Sequence, residues 1–266
     1  MRLLKAIKRK RRLNRLKIRV SQSARNTLPV VIVYQMGKVA SSSIYHALKA
    51  RNDCYGFHTH NLTTTQANDS FWNPNRHNII SVELQKQLLD RKRPLKIVTL
   101  VRDPFARNIS AYFETSPNIP NKKSSKAIVS ELVEDFLQTF NHSICNDWFE
   151  KEFRNALGID IFSHSFDAAI GWSQITIDQI DLLTLKTTLQ DNKKRKLIEQ
   201  FVGIEDLALE RINDTREKSI NTLYREFKDS IRFPKSIFDA VANDRFTTHF
   251  FTELERQEMR KRWCEI

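Results

Sequence analysis

Apolar positions along this chain follow two alternating patterns. Val30-Val31-Ile32-Val33-Tyr34 is a continuous, mostly β-branched run, as a strand buried on both faces of a sheet requires. Shortly after it, Ile44, Ala47 and Leu48 share one face of a helix. Asp53 to His60 reads as a short strand, and Val82, Leu84, Leu88 and Leu89 as a helix. Residues 95–101 form a second strong strand ending at Arg102. Asp103 is placed to cap the following helix and Pro104 to open it. Phe105, Ile109 and Tyr112 then recur at i, i+4, i+7.

Two helical stretches occupy 127–156, the second around Trp148, Phe149 and Phe153. Strand character runs from residues 158–162 through Ile175, Ile177 and Ile180, and residues 181–186 form the third core strand. Helices follow at 191–201, at 215–229 and towards the C-terminus. Strands alternating with helices predict an α/β fold of three layers, a central parallel sheet flanked by helices. The polar stretch 61–78, carrying Phe71 and Trp72, is a candidate lid or acceptor surface.

Composition sharpens this picture in two places. The chain has 266 residues, enough for one α/β core. Its five glycines compare with roughly nineteen at average usage, so Gly37 is one of few permissive backbone positions. The net charge of +13 suggests a nucleic-acid binder until it is located. Residues 1–25 hold 11 basic residues and no acids; removing those 11 from +13 leaves +2 for the rest. The expected division is therefore a basic tail over 1–28 and one domain over 29–266, with nucleic acid an improbable partner. Leu13, Leu16 and Val20 give the tail a thin apolar stripe suited to an anionic membrane surface; the plain alternative is a solvated, frayed terminus. No secretory h-region or 18-residue apolar run occurs. Cys54, Cys145 and Cys264 fit neither a disulfide framework nor a zinc site. The expectation is a cytoplasmic protein, peripheral to the inner face of the membrane.

The chemistry is concentrated where the first strand ends. Gly37-Lys38-Val39-Ala40-Ser41-Ser42-Ser43 joins a strand to a helix start rich in hydroxyls. Unpartnered N–H groups, the helix dipole and a lysine make such a junction an anion site, read here as a phosphate loop. The nucleoside-triphosphatase form needs Gly where Ile32 stands and Ser or Thr where Val39 stands. Plain strand-to-helix architecture remains the bland reading. At the second strand, Arg102 offers a planar fork of a kind that suits a phosphate; a capped helix with its arginine in a surface salt bridge is the plain alternative. His58 and His60 alternate on a strand and point to one side, at the edge where open α/β sheets bind ligands. A structural pair of histidines is the alternative reading.

These motifs resemble those of sulfotransferases. The first is similar to their 5′-phosphosulfate loop, and Arg102 to Ser110 to their 3′-phosphate motif. Phe57-His58-Thr59-His60 is similar to the aromatic-His-x-His segment of uronosyl 2-O-sulfotransferases. The chain as a whole resembles the capsular polysaccharide synthesis proteins of the bacterial sulfotransferase-like group. Residues 35–43 and 100–111 carry that likeness, with Asp147-Trp148-Phe149, Gly158-Ile159-Asp160, Leu223-Tyr224 and Phe227-Lys228. The Lys-Trp-Tyr-Ser run that marks the group reads Lys218-Ser219-Ile220-Asn221 here. The resemblance implies a P-loop-like sulfotransferase fold and, as co-substrate, 3′-phosphoadenylyl sulfate, with no metal. The acceptor would be a hydroxyl of a glycan or glycan precursor.

On this reading Gly37, Lys38, Val39, Ala40, Ser41, Ser42 and Ser43 bind the 5′ end, and Arg102 and Ser110 the 3′-phosphate. Lys38 stabilises the leaving group. His60 is the first choice of base and His58 the second, with Glu83 and Glu114 in reserve. A magnesium-dependent kinase or NTPase, and a non-catalytic protein binding nucleotide or an anionic surface, are the competing classes.

Overall fold

The computed structural model describes residues 2–62, 80–90, 92–117, 119, 125–210 and 218–265. Among these, five strands form one sheet: β1 (Val30–Tyr34), β2 (Tyr55–Thr59), β3 (Leu95–Val101), β4 (Trp172–Ile177) and β5 (Ile180–Lys186). Their order is β2-β1-β3-β5-β4. The first four in that order run parallel, and β4 returns antiparallel along β5 as the edge. The two-residue link between β4 and β5 turns with Asp178 in the left-handed region (φ 50°), which Asp tolerates better than most residues. All five residues of β1 are buried, the signature of a strand covered on both faces.

The helices are α1 (Arg2–Arg25), α2 (Ser42–Lys49), α3 (80–89, with Gln85–Leu89 in π geometry), α4 (Pro104–Thr115), α5 (Lys126–Thr139) and α6 (Ile144–Phe149, continuing as a π-helix over Glu150–Asn155). After the hairpin come α7 (Asp191–Val202), α8 (Lys218–Ser230), α9 (Lys235–Ala242), α10 (Arg245–Phe250) and α11 (Glu253–Trp263). Strand register decides which helices cover which face. Val31 and Val33 pair with Gly56 and His58 on β2, and Lys96 and Val98 lie level with them on β3. This face meets α2 and α7: Tyr45 lies 5.3 Å from the His58 ring, and the Lys96 ammonium sits 4.9 Å from the Phe201 ring. A Cβ on Gly56 would come within 2.8 Å of the Leu48 Cβ, so glycine lets α2 lie directly on β2. The opposite face carries Tyr34, stacked at 5.2 Å on Phe153 beyond α6, and Lys186, whose Nζ is 2.6 Å from Glu255 on α11. Helices therefore flank a mostly parallel sheet on both sides.

Beside this sheet, α4 is clamped by aromatic packing. Phe105 stacks on Phe238 at 4.8 Å, and Tyr112 lies against Phe136 and Phe227. Each fully buried phenylalanine contributes about 1.5–3 kcal/mol.

Two expectations need correction. The strand character of 158–162 is absent: Gly158 turns left-handed (φ 72°), and the Asp160 carboxylate accepts from the Phe162 N–H to cap a 3₁₀ turn, so strand begins only at Trp172. The expected helix over Val82 to Leu89 is present, with Leu84 and Leu88 buried and Val82 47% exposed. Finally, the basic segment is a helix whose C-terminal end docks on the domain: Val20 and Ser23 are fully buried, and Lys17 reaches Glu83 at 3.1 Å. Phe71 and Trp72 lie outside the described residues, as do the side chains of 218–221. No described helix is long and apolar enough to cross a membrane.

Candidate anion-binding site at the carboxyl edge of the sheet

From β1 the chain proceeds through α2 to β2 on one side, while β3 pairs on the other. The crevice beyond the carboxyl ends of β1 and β3 is therefore the switch point at which open α/β sheets take ligands. Residues 35–41 leave β1 there, and Arg102 leaves β3.

The turn takes its shape from two residues in the left-handed region, Lys38 (φ 72°) and Ala40 (φ 58°). Gly37, expected to supply that freedom, does not have a positive φ. Ala40 is followed by Ser41 in right-handed conformation (φ −83°, ψ −11°). Adjacent residues of opposite hand turn successive N–H groups towards a common point, a concavity suited to anions. Helix α2 then starts with no hydrogen bond from the Ser41 side chain to its first turn. The Ser41 hydroxyl instead lies 3.4 Å from His58 Nε2. Ser41 is buried, Ser43 half-buried, and Ser42 exposed beside it.

Two arginines brace the turn from α4 and its approach. Arg102 Nη1 donates to the Lys38 carbonyl at 2.7 Å, and Arg107 Nε donates to the Gly37 carbonyl at 3.0 Å. The first strand's turn and the second strand's arginine are thus in direct contact. Arg107 is 1% exposed, and burial pushes its pKa down. Its Nη1 donates to Asn108 Oδ1, whose amide nitrogen donates to the His142 carbonyl. The sequence shows Arg107 inside the motif but gives it no role. Its position four residues after the cap Asp103, one helical turn on, is the signal that could have found it.

Asp103 caps α4 through the Ala106 N–H at 3.1 Å and accepts from Trp263 Nε1 at 2.9 Å. Burial raises its pKa against the pull of these bonds. Arg262 lies 4.5 Å over the Trp263 ring. The Lys228 pKa is lowered by burial first, then by the charges of Arg262 and Arg102. Lys228 and Arg262 therefore enrich the Arg102 side in positive charge, which no local sequence pattern announces. Ser110 is half-buried on α4, and no hydrogen bond joins it to Arg102 among the described residues.

Lys38 Nζ lies 3.3 Å from Glu114. Glu83 is on α3, paired with Lys17. The two reserve bases thus stand in different places: Glu114 at the turn, Glu83 at the α1–α3 contact.

The histidines do share a side, with ring centroids 4.7 Å apart. His60 Nδ1 lies 2.7 Å from the Gln35 carbonyl. A carbonyl only accepts, so Nδ1 carries a proton, and in the neutral ring the lone pair is then on Nε2. Behind His60, Trp148 Nε1 donates to its carbonyl at 2.8 Å. Glu152, 2% exposed, accepts at 2.7 Å from both the Leu62 N–H and the Tyr34 hydroxyl. The Tyr34 pKa is raised well above its ordinary value, by burial first and then by Glu152. Helix α6 and its extension thereby fix the exit of β2. Among the described residues, no three His, Cys, Asp or Glu side chains are grouped to hold a metal ion.

Residues 121–252 match the family model described as "Putative capsular polysaccharide synthesis protein". The matched segment includes Trp148, Glu152 and Lys228 and lies C-terminal to the turn and to Arg102. No curated protein and no solved structure matches the chain.

Proposed function

We propose that this protein is a sulfotransferase that moves the sulfuryl group of 3′-phosphoadenylyl sulfate to a hydroxyl of a glycan in surface polysaccharide synthesis. The observation that carries the reading is the meeting of two cationic turns at the switch point, with Arg102 bonded to the Lys38 carbonyl at 2.7 Å. A donor with a phosphosulfate at one end and a phosphate at the other needs two such sites on one rim. The matched family's name speaks of polysaccharide synthesis, which favours a glycan acceptor.

In this reading the N–H groups of the turn and the hydroxyls of Ser41, Ser42 and Ser43 hold the 5′-phosphate. Arg102 turns from the Lys38 carbonyl to the 3′-phosphate, joined by Ser110 and by the charges of Lys228 and Arg262. Lys38 leaves Glu114 for the oxygen bridging sulfur and phosphorus and stabilises the charge that develops there as the S–O bond breaks. His60 Nε2 takes the acceptor's proton as the new O–S bond forms, with Nδ1 held on the Gln35 carbonyl. The free, buried thiols of Cys54, Cys145 and Cys264 suit a reducing, cytoplasmic setting.

Calorimetry with adenosine 3′,5′-bisphosphate tests the donor class. Binding in the micromolar range that weakens at least tenfold in Arg102→Ala is expected. Thermal stabilisation by ATP with magnesium, and none by the bisphosphate, would make the protein a kinase instead.

A further inference from the structure

Gln35 is the residue at which β1 becomes the turn. It is fully buried, and neither its side-chain nitrogen nor its side-chain oxygen has a hydrogen-bond partner among the described residues. Buried amides are normally satisfied, and an orphaned one costs stability. A methionine or leucine would fill the same space without that cost.

Register locates the amide. Val31 and Val33 pair with Gly56 and His58, and the Gln35 N–H continues the ladder by donating to the Thr59 carbonyl at 3.4 Å. One further step sets Gln35 level with His60, on the sheet face where His58 meets Ser41 and Tyr45. Register thus assigns the side chain to the sheet face of His58 and the start of α2, in the segment that runs on into the turn carrying Lys38 and Ala40.

We infer that the Gln35 carboxamide is a ligand group of this site: its N–H₂ donates to an oxyanion, phosphate or sulfate, held by the turn over residues 37–43. The sulfotransferase reading supplies that oxyanion as the phosphosulfate of the donor, and to that extent the inference rests on it. The unmet amide is then a donor held ready for the bound state. The main-chain carbonyl of the same residue orients His60. One residue thus joins anion binding to the placement of the base.

The test is Gln35→Met in the full-length protein, with Gln35→Leu as a second apolar replacement, each read by thermal unfolding and by titration with adenosine 3′,5′-bisphosphate and with inorganic sulfate. The expected result is a split. Tm rises by about 2–4 °C because the buried orphan is gone, while affinity for the bisphosphate or for sulfate falls about tenfold or more. Unchanged affinity for both probes, at any Tm, overturns the role of Gln35. If the wild type binds sulfate but not the bisphosphate, the donor assignment fails and the sulfate arm alone decides the Gln35 role. If it binds neither, both fail. Loss of Tm in both variants also overturns the inference, because the amide would then be stabilising the ligand-free fold.

Discussion

Replacing Glu152 by alanine probes how His60, the proposed base, is held. Glu152 sits in the extension of α6, yet its carboxylate serves β1 and the exit of β2. Tyr34 loses less than Leu62, because the Tyr34 hydroxyl also donates to the Glu152 main-chain carbonyl at 3.0 Å, which the substitution retains. The Leu62 N–H is left buried without this acceptor, at about 1–3 kcal/mol, and lost packing of the side-chain methylenes adds about 1 kcal/mol. The sum, about 2–4 kcal/mol, corresponds to a Tm lower by about 5–15 °C in a domain of this size. Tyr34→Phe removes one donor and leaves the Leu62 bond in place, so about 1 kcal/mol is expected. Hydrogen exchange supplies the local readout. The Leu62 amide should lose protection in Glu152→Ala and keep it in Tyr34→Phe. In a sulfuryl-transfer assay, kcat should fall about tenfold in the alanine variant with KM for the donor little changed, because His60 moves while the turn does not. Wild-type exchange at Leu62 in Glu152→Ala, or a KM effect without a kcat effect, would refute this account of how His60 is placed.

Lys38→Ala should cut turnover about 10²–10³-fold with unfolding unchanged, as expected for a preorganised charge; near wild-type rates would remove Lys38 from the mechanism. Glu114→Gln removes a half-exposed ion-pair partner and should shift stability by no more than about 0.5 kcal/mol while raising affinity for the bisphosphate severalfold. A large loss of turnover there, with affinity unchanged, would make Glu114 the proton acceptor in place of His60. Asp244 caps α10, and burial raises its pKa to about 6. The folded state then holds a proton that the unfolded state has released between pH 4 and 6, so stability falls as pH rises through that window. Asp244→Asn keeps the cap and should unfold later than wild type at pH 8, by about 1–3 kcal/mol, with no gain at pH 4; equal gains at both pH values would exclude the buried charge as the cause. Exposed Arg11 and Arg15 on α1 should bind vesicles rich in anionic lipid in a salt-dependent way, lost in the double glutamate variant. Equal binding to neutral vesicles would point elsewhere.

The sheet was legible because β1, β3 and β5 are largely buried on both faces, and such burial writes itself as a dense apolar run, unbroken in β1 and interrupted by few polar residues in β3 and β5. The cap at Asp103 and the buried face of α4 were equally plain, since capping and i, i+4, i+7 spacing are local. The edge strand β4 was harder. One of its faces is wet, and upstream Gly158 and Asp160 turn a segment whose Ile159, Ile161 and Phe162 suit a strand. At the candidate site, the contact between Arg102 and the Lys38 turn could be expected from two strands ending on one rim, but not which carbonyl the arginine would take. Arg107 and Trp148 were present as motif letters without roles, and Glu152 stood out in no motif, because each acts across 60 or more residues of chain. Lys228 and Arg262 come from α8 and α11 and meet Arg102 only in the fold.

What unites the turn is that several local preferences are overridden within six residues. Gln35 buries an amide with no described partner, and Lys38 and Ala40 hold left-handed backbone that glycine would adopt freely. Non-glycine residues in that region cost about 1 kcal/mol or more each, and an orphaned buried amide a similar amount. Nothing in the packing of β1 requires them, since the strand is already fully buried and paired on both sides. A fold with Phe105, Phe136, Phe149, Phe153, Phe227 and Phe246 all buried can carry a few kcal/mol of local cost. Such costs collect where geometry serves a ligand more than the fold. An anion bound on the converging N–H groups would offset them in one step: it satisfies the amide, draws Lys38 from Glu114 and gives the bent turn a partner. Ligand binding should therefore stabilise this segment beyond the rest of the domain, with hydrogen exchange slowing first in residues 37–44. Uniform slowing across the sheet, with no excess in the turn, would show that the strain there has another origin.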